Sequence, residues 1–169
     1  MEHILIDCAA PGQEIIWSLA KELWEKKHSS WPGVSHGTIM GCCLVKYKNH
    51  DGRPNTGKNH LLQILISESA HLIWKIRCEQ RMGRNDDPDK VHTKSEVHNR
   101  WLAVINRRLL MDCISTDKRK FGRKAINSKL VRQTWGGALM DERNMSDGWV
   151  KHAGVLVGIR PLRPPGQNR

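Results

Sequence analysis

Residues 59–84 read NHLLQILISESAHLIWKIRCEQRMGR, the most apolar stretch of the chain, with no Gly or Pro before Gly83. Leu61, Leu65, Leu72 and Ile76 share one helical row with Glu68, and Leu62, Ile66, Ser69, Ile73 and Arg77 form the neighbouring row. Two adjacent apolar rows at helical spacing predict a helix that is packed on more than one side. Gly83 then follows the last periodic residues, as a C-cap does. The expected fold is mainly α: a small irregular helical bundle around a long central helix over about residues 60–83. That helix is too short and too charged at its end to cross a membrane, and no membrane partner is expected.

Upstream, residues 49–58 form a polar loop rich in Gly and Pro. Residues 34–48 read as a short helix running into an extended piece, because Gly37 and Gly41 weaken the helix. Pro11 and Gly12 open an earlier helix whose buried face is Ile16, Leu19, Ala20, Leu23 and Trp24. Downstream, Thr93-Lys94-Ser95-Glu96 is a capping box. The helix it starts is expected to reach about Thr116, burying Val97, Trp101, Val104, Ile105, Leu109 and Cys113 and turning Arg100, Arg107 and Arg108 outward. A basic connector over 117–127 leads to a shorter helix, with Ser128 as the expected cap and Val131, Trp135, Ala138 and Leu139 inside. A helical domain over 1–149 is expected to give way to an extended or disordered tail over 150–169, Pro-rich and basic from residue 160.

The net charge of +11 in 169 residues directs attention to a polyanionic partner, nucleic acid before an anionic membrane. Five cysteines, two of them adjacent at Cys42 and Cys43, do not suit a disulfide framework, and a reducing nuclear or cytoplasmic compartment is expected. The candidate nucleic-acid contacts are Lys118, Arg119, Lys120, Arg123, Lys124, Lys129 and Arg132, with Arg107 and Arg108 just before them. Phe121 sits inside the run, where it can stack on a base. The other reading of this run is a solvated connector.

Three patterns suggest enzymes and fall short. Residues 52–59 nearly spell the phosphate-binding loop G-x-x-x-x-G-K-[ST], but Asn59 replaces the hydroxyl that holds magnesium, so a solvated loop is the reading adopted. His92, His98 and Asn99 echo a His-Asn-His nuclease, but they fall on a capped helix rather than on the ββ-metal arrangement it requires, and His98 is expected at a helix surface. Glu68, His71 and Lys75 share a helical face as an acid/base cluster would, but a structural pairing of the carboxylate suffices.

His3-Ile4-Leu5-Ile6-Asp7-Cys8, followed by an amphipathic helix carrying Trp17, resembles the second half of the C-x2-C…H-x4-C zinc-binding region of non-LTR retrotransposons. Leu72-Ile73-Trp74-Lys75-Ile76-Arg77-Cys78-Glu79 resembles the I-W-K-x-R-N helix that follows that knuckle. Together with the closing Gly154-Val155-Leu156-Val157-Gly158-Ile159, these strings resemble C-terminal regions of reverse transcriptase and ribonuclease H-like proteins derived from such elements in mushroom-forming fungi. The resemblance implies a nucleic-acid setting and an N-terminal ribonuclease H or polymerase domain as partner. Residues 1–8 are then a knuckle remnant with His3 and Cys8 as its ligands, too few for a tetrahedral zinc, so no metal or other cofactor is expected. No ribonuclease H carboxylate set precedes them. The expectation is a non-catalytic accessory domain that contacts DNA or RNA weakly and without sequence preference through a basic face. The alternative is an interaction module in which Trp17, Trp31 and Trp135 dock a further domain; a nucleic-acid hydrolase is the remote one.

Overall fold

The computed structural model describes residues 3–7, 12–152 and 154–163. Six α-helices carry the described chain: α1 Gln13–Glu25, α2 His36–Met40, α3 Thr56–Cys78, α4 Lys94–Ile114, α5 Lys118–Phe121 and α6 Ser128–Trp135. Short π turns at His3–Asp7 and Glu79–Gly83, and 3-10 turns at Pro88–Lys90, Gly122–Lys124, Glu142–Asn144 and Trp149–Lys151, complete the order. The fold is mainly helical and built around α3, as its double apolar row predicts. Among the described residues no strands form, only isolated bridges at Lys48–Pro54 and Leu139–Val157.

Helix α3 starts earlier than residue 60 because Asn55 caps it, its side chain accepting a hydrogen bond from Lys58 N at 3.0 Å. After Cys78 the helix widens into the π turn that ends at Gly83. Along α3, Leu61, Leu62, Ile64, Leu65, Ile66, Leu72, Ile73 and Ile76 are buried.

The other long helices line up on it. Trp101 Nε1 donates to Ser69 Oγ at 3.0 Å, and His60 Nδ1 lies 4.0 Å from Asp112 Oδ2. Those two pairings place α4 antiparallel to α3. Helix α1 begins beside Ile76 and Val97, the nearest side chains to the Cβ position of Gly12, and ends beside α6. There Lys27 Nζ reaches the carbonyls of Gln133 and Thr134, two of the acceptors that a helix C-terminus leaves free.

Thr93 caps α4 as the box predicts, accepting from Glu96 N at 3.2 Å. The Glu96 carboxylate does not return to the Thr93 amide; it takes His92 Nδ1 at 2.7 Å instead. Asn127, not Ser128, caps α6, accepting from Lys129 N at 2.9 Å, because an Asx side chain can bond two residues ahead from just outside the helix.

Residues 155–162 run alongside α4. Asn106 Oδ1 accepts from Val157 N at 2.9 Å, and His98 Nε2 is 2.9 Å from Arg160 O. Asn99 exchanges two hydrogen bonds with the Leu162 backbone, at 2.7 and 2.9 Å. Val157 and Ile159 are buried beneath this polar ladder. Residues 164–169, the end of the expected tail, lie outside the described residues, as does Cys8.

Truncating Leu65 or Ile73 to Ala is expected to destabilise the domain by about 2–5 kcal/mol, the range for a buried aliphatic chain in a close-packed core. Urea titrations followed by far-UV circular dichroism measure it, and unchanged midpoints for both variants would contradict the placement of α3.

Candidate nucleic-acid interface

The basic connector is a closed excursion. Ile126 N donates to Ser115 O at 2.9 Å, tying together the two ends of the loop that contains α5 and the Gly122–Lys124 turn. Asp117 caps α5 through Arg119 N at 2.8 Å, and Gly122 turns the chain at φ 54°, a conformation that favours glycine. Lys118, Arg119, Lys120, Arg123 and Lys124 are all exposed on this loop, and Phe121 stands out with them. Lys129 and Arg132 follow on the exposed side of α6, three residues apart and so on one face. None of these seven cations makes an ion pair with a carboxylate of a described residue, although carboxylates elsewhere hold Arg77, Arg84, Arg100 and Arg108.

Arg107 and Arg108 stand apart from the loop, on the wall of a groove between α3 and α4. Arg107 is exposed, whereas Arg108 is partly tied down, with Nε 3.4 Å from Asp112 Oδ1. Asp112 is buried and also accepts from Trp135 Nε1 at 2.9 Å, so it joins α4 to α6. Burial lowers the affinity of His60 for a proton, the neighbouring Asp112 carboxylate opposing that shift. Burial next to the same carboxylate pushes the Cys113 thiol up to about 11, which leaves it protonated and unreactive.

Two of the three enzyme-like patterns have structural duties; in the third the expected structural pairing does not form, since Glu68 is only half-buried and makes no ion pair among the described residues. In the would-be phosphate loop, residues 56–59 are the first turn of α3. Asn59 is buried and accepts from Tyr47 N at 2.6 Å, pinning the chain before the loop. Lys58 Nζ lies over the Tyr47 ring at 4.2 Å and the Trp24 ring at 5.5 Å. Gly57 lies flat against α6, where an added Cβ would collide with the Gln133 carbonyl. His98, expected at a helix surface, is buried where the C-terminal segment crosses it, for its ring supplies a partner to a strand-like backbone that has no sheet. His92 sits buried between Glu96 and Glu79, and Glu79 is in turn clamped by Arg100 at 2.7 and 2.8 Å. The Arg100 guanidinium holds the Glu79 carboxyl below the usual carboxylate range.

Among the described residues, no cluster of three His, Cys, Asp or Glu side chains is arranged to hold a metal. Of the tryptophans expected to dock a partner, Trp135 is wholly enclosed. Trp17 is half-buried and bonded to Leu5 O at 2.9 Å, and Trp31 packs on Trp24 at 5.8 Å. The α3/α4 groove itself escapes a reading of the sequence. Glu68, His71 and Lys75 on α3 and Arg100, Val104, Arg107 and Met111 on α4 recur at helical spacing, but only the tertiary pairing makes the two rows face each other. No family model matches the chain, and neither curated proteins nor solved structures show significant similarity to it.

Gly57→Ala separates two effects. Intrinsic helix propensity favours Ala by roughly 1 kcal/mol, whereas the clash with Gln133 requires α3 and α6 to move apart, which overpacking data put at about 1–3 kcal/mol. A net loss of stability is expected, read as a lowered urea midpoint; a raised midpoint would show that the helices do not meet there.

His28 supplies a pH-dependent contribution. Burial, then the charges of Lys58 and Lys27, depress it to about 4, and its Nε2 has no hydrogen-bond partner. In the unfolded chain a histidine titrates near 6.5. Between these values the unfolded state binds more protons, so stability falls as pH drops from about 6.5 towards 4. His28→Gln is expected to shrink the difference between urea midpoints at pH 7 and pH 5; an unchanged difference would remove His28 as a source.

Proposed function

We propose that this chain is a non-catalytic helical accessory domain that contacts nucleic acid through a basic face. The observation that carries the reading is the tied loop after α4, which holds Lys118, Arg119, Lys120, Arg123 and Lys124 exposed and without ion-pair partners among the described residues. A polyanion is the ligand that rewards such a concentration of free cations, by releasing its own condensed counterions. Lys129 and Arg132 extend the cationic surface onto α6, Arg107 extends it towards the groove, and Phe121 offers an exposed ring beside the phosphates. Side chains that meet phosphates read charge and spacing rather than base edges, so binding is sequence-tolerant. The origin that accords with this reading is the retrotransposon-derived one suggested by the tryptophan helix and the His3–Cys8 string, with a ribonuclease H or polymerase domain as its natural companion.

Binding to mixed-sequence oligonucleotides is expected with a dissociation constant of order 10⁻⁴–10⁻⁶ M at physiological salt, weakening steeply as salt rises. Replacing Lys118, Arg119 and Lys120 together by Gln is expected to lower both the affinity and the slope of log K against log salt, by roughly one unit for each phosphate no longer neutralised. Fluorescence anisotropy across a salt series measures both. Absence of binding at low salt, or indifference to the triple change, would transfer the reading to a protein-docking module.

A further inference from the structure

The groove between α3 and α4 differs in chemistry from the basic loop. It encloses about 390 Å³, within the roughly 300–1,000 Å³ of clefts that take small ligands. Its walls bring Lys75, Arg100, Arg107 and Arg108 against a single carboxylate, Glu68. Glu79 engages Arg100 and Asp112 engages Arg108, while Lys75 and Arg107 make no ion pair among the described residues.

Between the cations the groove is apolar. Leu72 and Val104 line it, and Met111 lies half exposed at its edge. His71 lines the groove on the α3 side, and the Trp74 ring, which stands outside the lining, lies nearly parallel to it, 18° apart with centroids separated by 6.4 Å. Trp74 is 47% exposed, whereas Trp24, Trp101, Trp135 and Trp149 are buried and Trp17 and Trp31 half-buried. Trp74 is thus the most exposed of the seven tryptophans, and it stands next to Lys75, one of the cations without an ion pair among the described residues.

We propose that this groove is a base-stacking track that makes single-stranded nucleic acid, rather than duplex, the preferred ligand. The proposal rests on the nucleic-acid reading given above. Duplexes keep their base faces stacked on one another and offer only phosphates to a cationic wall. Unpaired strands carry both components that this face provides for: phosphates for Lys75 and Arg107, and bare π-faces for His71, the apolar lining and the exposed Trp74 ring beside His71. The track also leads towards the loop, since Arg107 and the end of α4 at Ile114 are about 10 Å apart at 1.5 Å per residue, and Lys118 follows.

The test uses the full chain with fluorescein-labelled oligothymidylate, oligouridylate and a mixed-sequence DNA duplex of equal phosphate number, in low salt. Both single strands are expected to bind at least about tenfold more tightly than the duplex and to quench tryptophan fluorescence. Trp74→Ala is expected to lower single-strand affinity roughly five- to hundredfold, the range for losing one stacked base, with duplex binding and the urea midpoint unchanged. Trp74→Phe keeps most of the affinity and loses most of the quench. Equal affinity for strand and duplex, or a Trp74→Ala variant that binds every oligonucleotide like the wild type while the Lys118/Arg119/Lys120 triple variant still weakens, would overturn the groove proposal alone. No binding to any of the three probes would overturn the nucleic-acid reading with it.

Discussion

Leu61, Leu62, Ile64, Leu65 and Ile66 are all buried within two turns of α3, and at about 100° per residue they cover roughly 200° of its circumference. Such a helix has to be enclosed by several neighbours at once, and the rest of the chain is arranged to do so. α4 runs antiparallel on one side, α1 and α6 close others, and the π turn at His3–Asp7 meets the start of α1 through Gln13 and Trp17. The closest approach is at Gly57, where the absence of a side chain lets the α6 backbone touch α3 directly. Close-packed interiors leave little room to absorb an added methyl, so this approach fixes how near the two helices lie.

The unusual aromatic composition, seven Trp against one Tyr and one Phe, follows from the same requirement. Helices held apart by wide side chains need large apolar bodies, and each enclosed indole N–H then needs an acceptor. Trp101 finds Ser69, Trp135 finds Asp112, and Trp24 and Trp17 find backbone carbonyls. These bonds cross between elements, so each tryptophan fills space and fixes register together. Asp112 would be a costly carboxylate in that interior were it not for Trp135 and the neighbouring Arg108.

Charge is divided by location. Glu79 and Glu96 are drawn into a network with His92, Arg84 and Arg100 where α3 hands over to α4, and Asp112 is engaged inside. The surplus of cations collects after α4 and along the groove, where the described carboxylates are few. The overall charge excess is thereby concentrated locally, and local potential, more than net charge, governs attraction of a polyanion.

Local sequence pattern determined α3, the buried face of α1, the Thr93 cap and the basic character of the segment after α4, because each depends on neighbours a few residues apart in the chain; on α4 it missed that His98, Leu102 and Asp112 are buried, that Val104 is only half-buried and that Arg100, expected outward, is partly covered where it clamps Glu79. The earlier start of α3 depends on the Asn55 cap and on Gly57, which tolerates the close approach of α6, whereas the local pattern of 52–59 reads as a solvated loop. His98 and Asn99 looked like surface or nuclease residues; with Asn106 they are the partners of a distant segment, a relation carried by hydrogen bonds more than fifty residues apart in the chain. The groove between α3 and α4 belongs to the same class. Its residues were visible as two separate helical rows, but a cavity exists only between surfaces, and which surfaces meet is decided by how the long helices share the burial of α3.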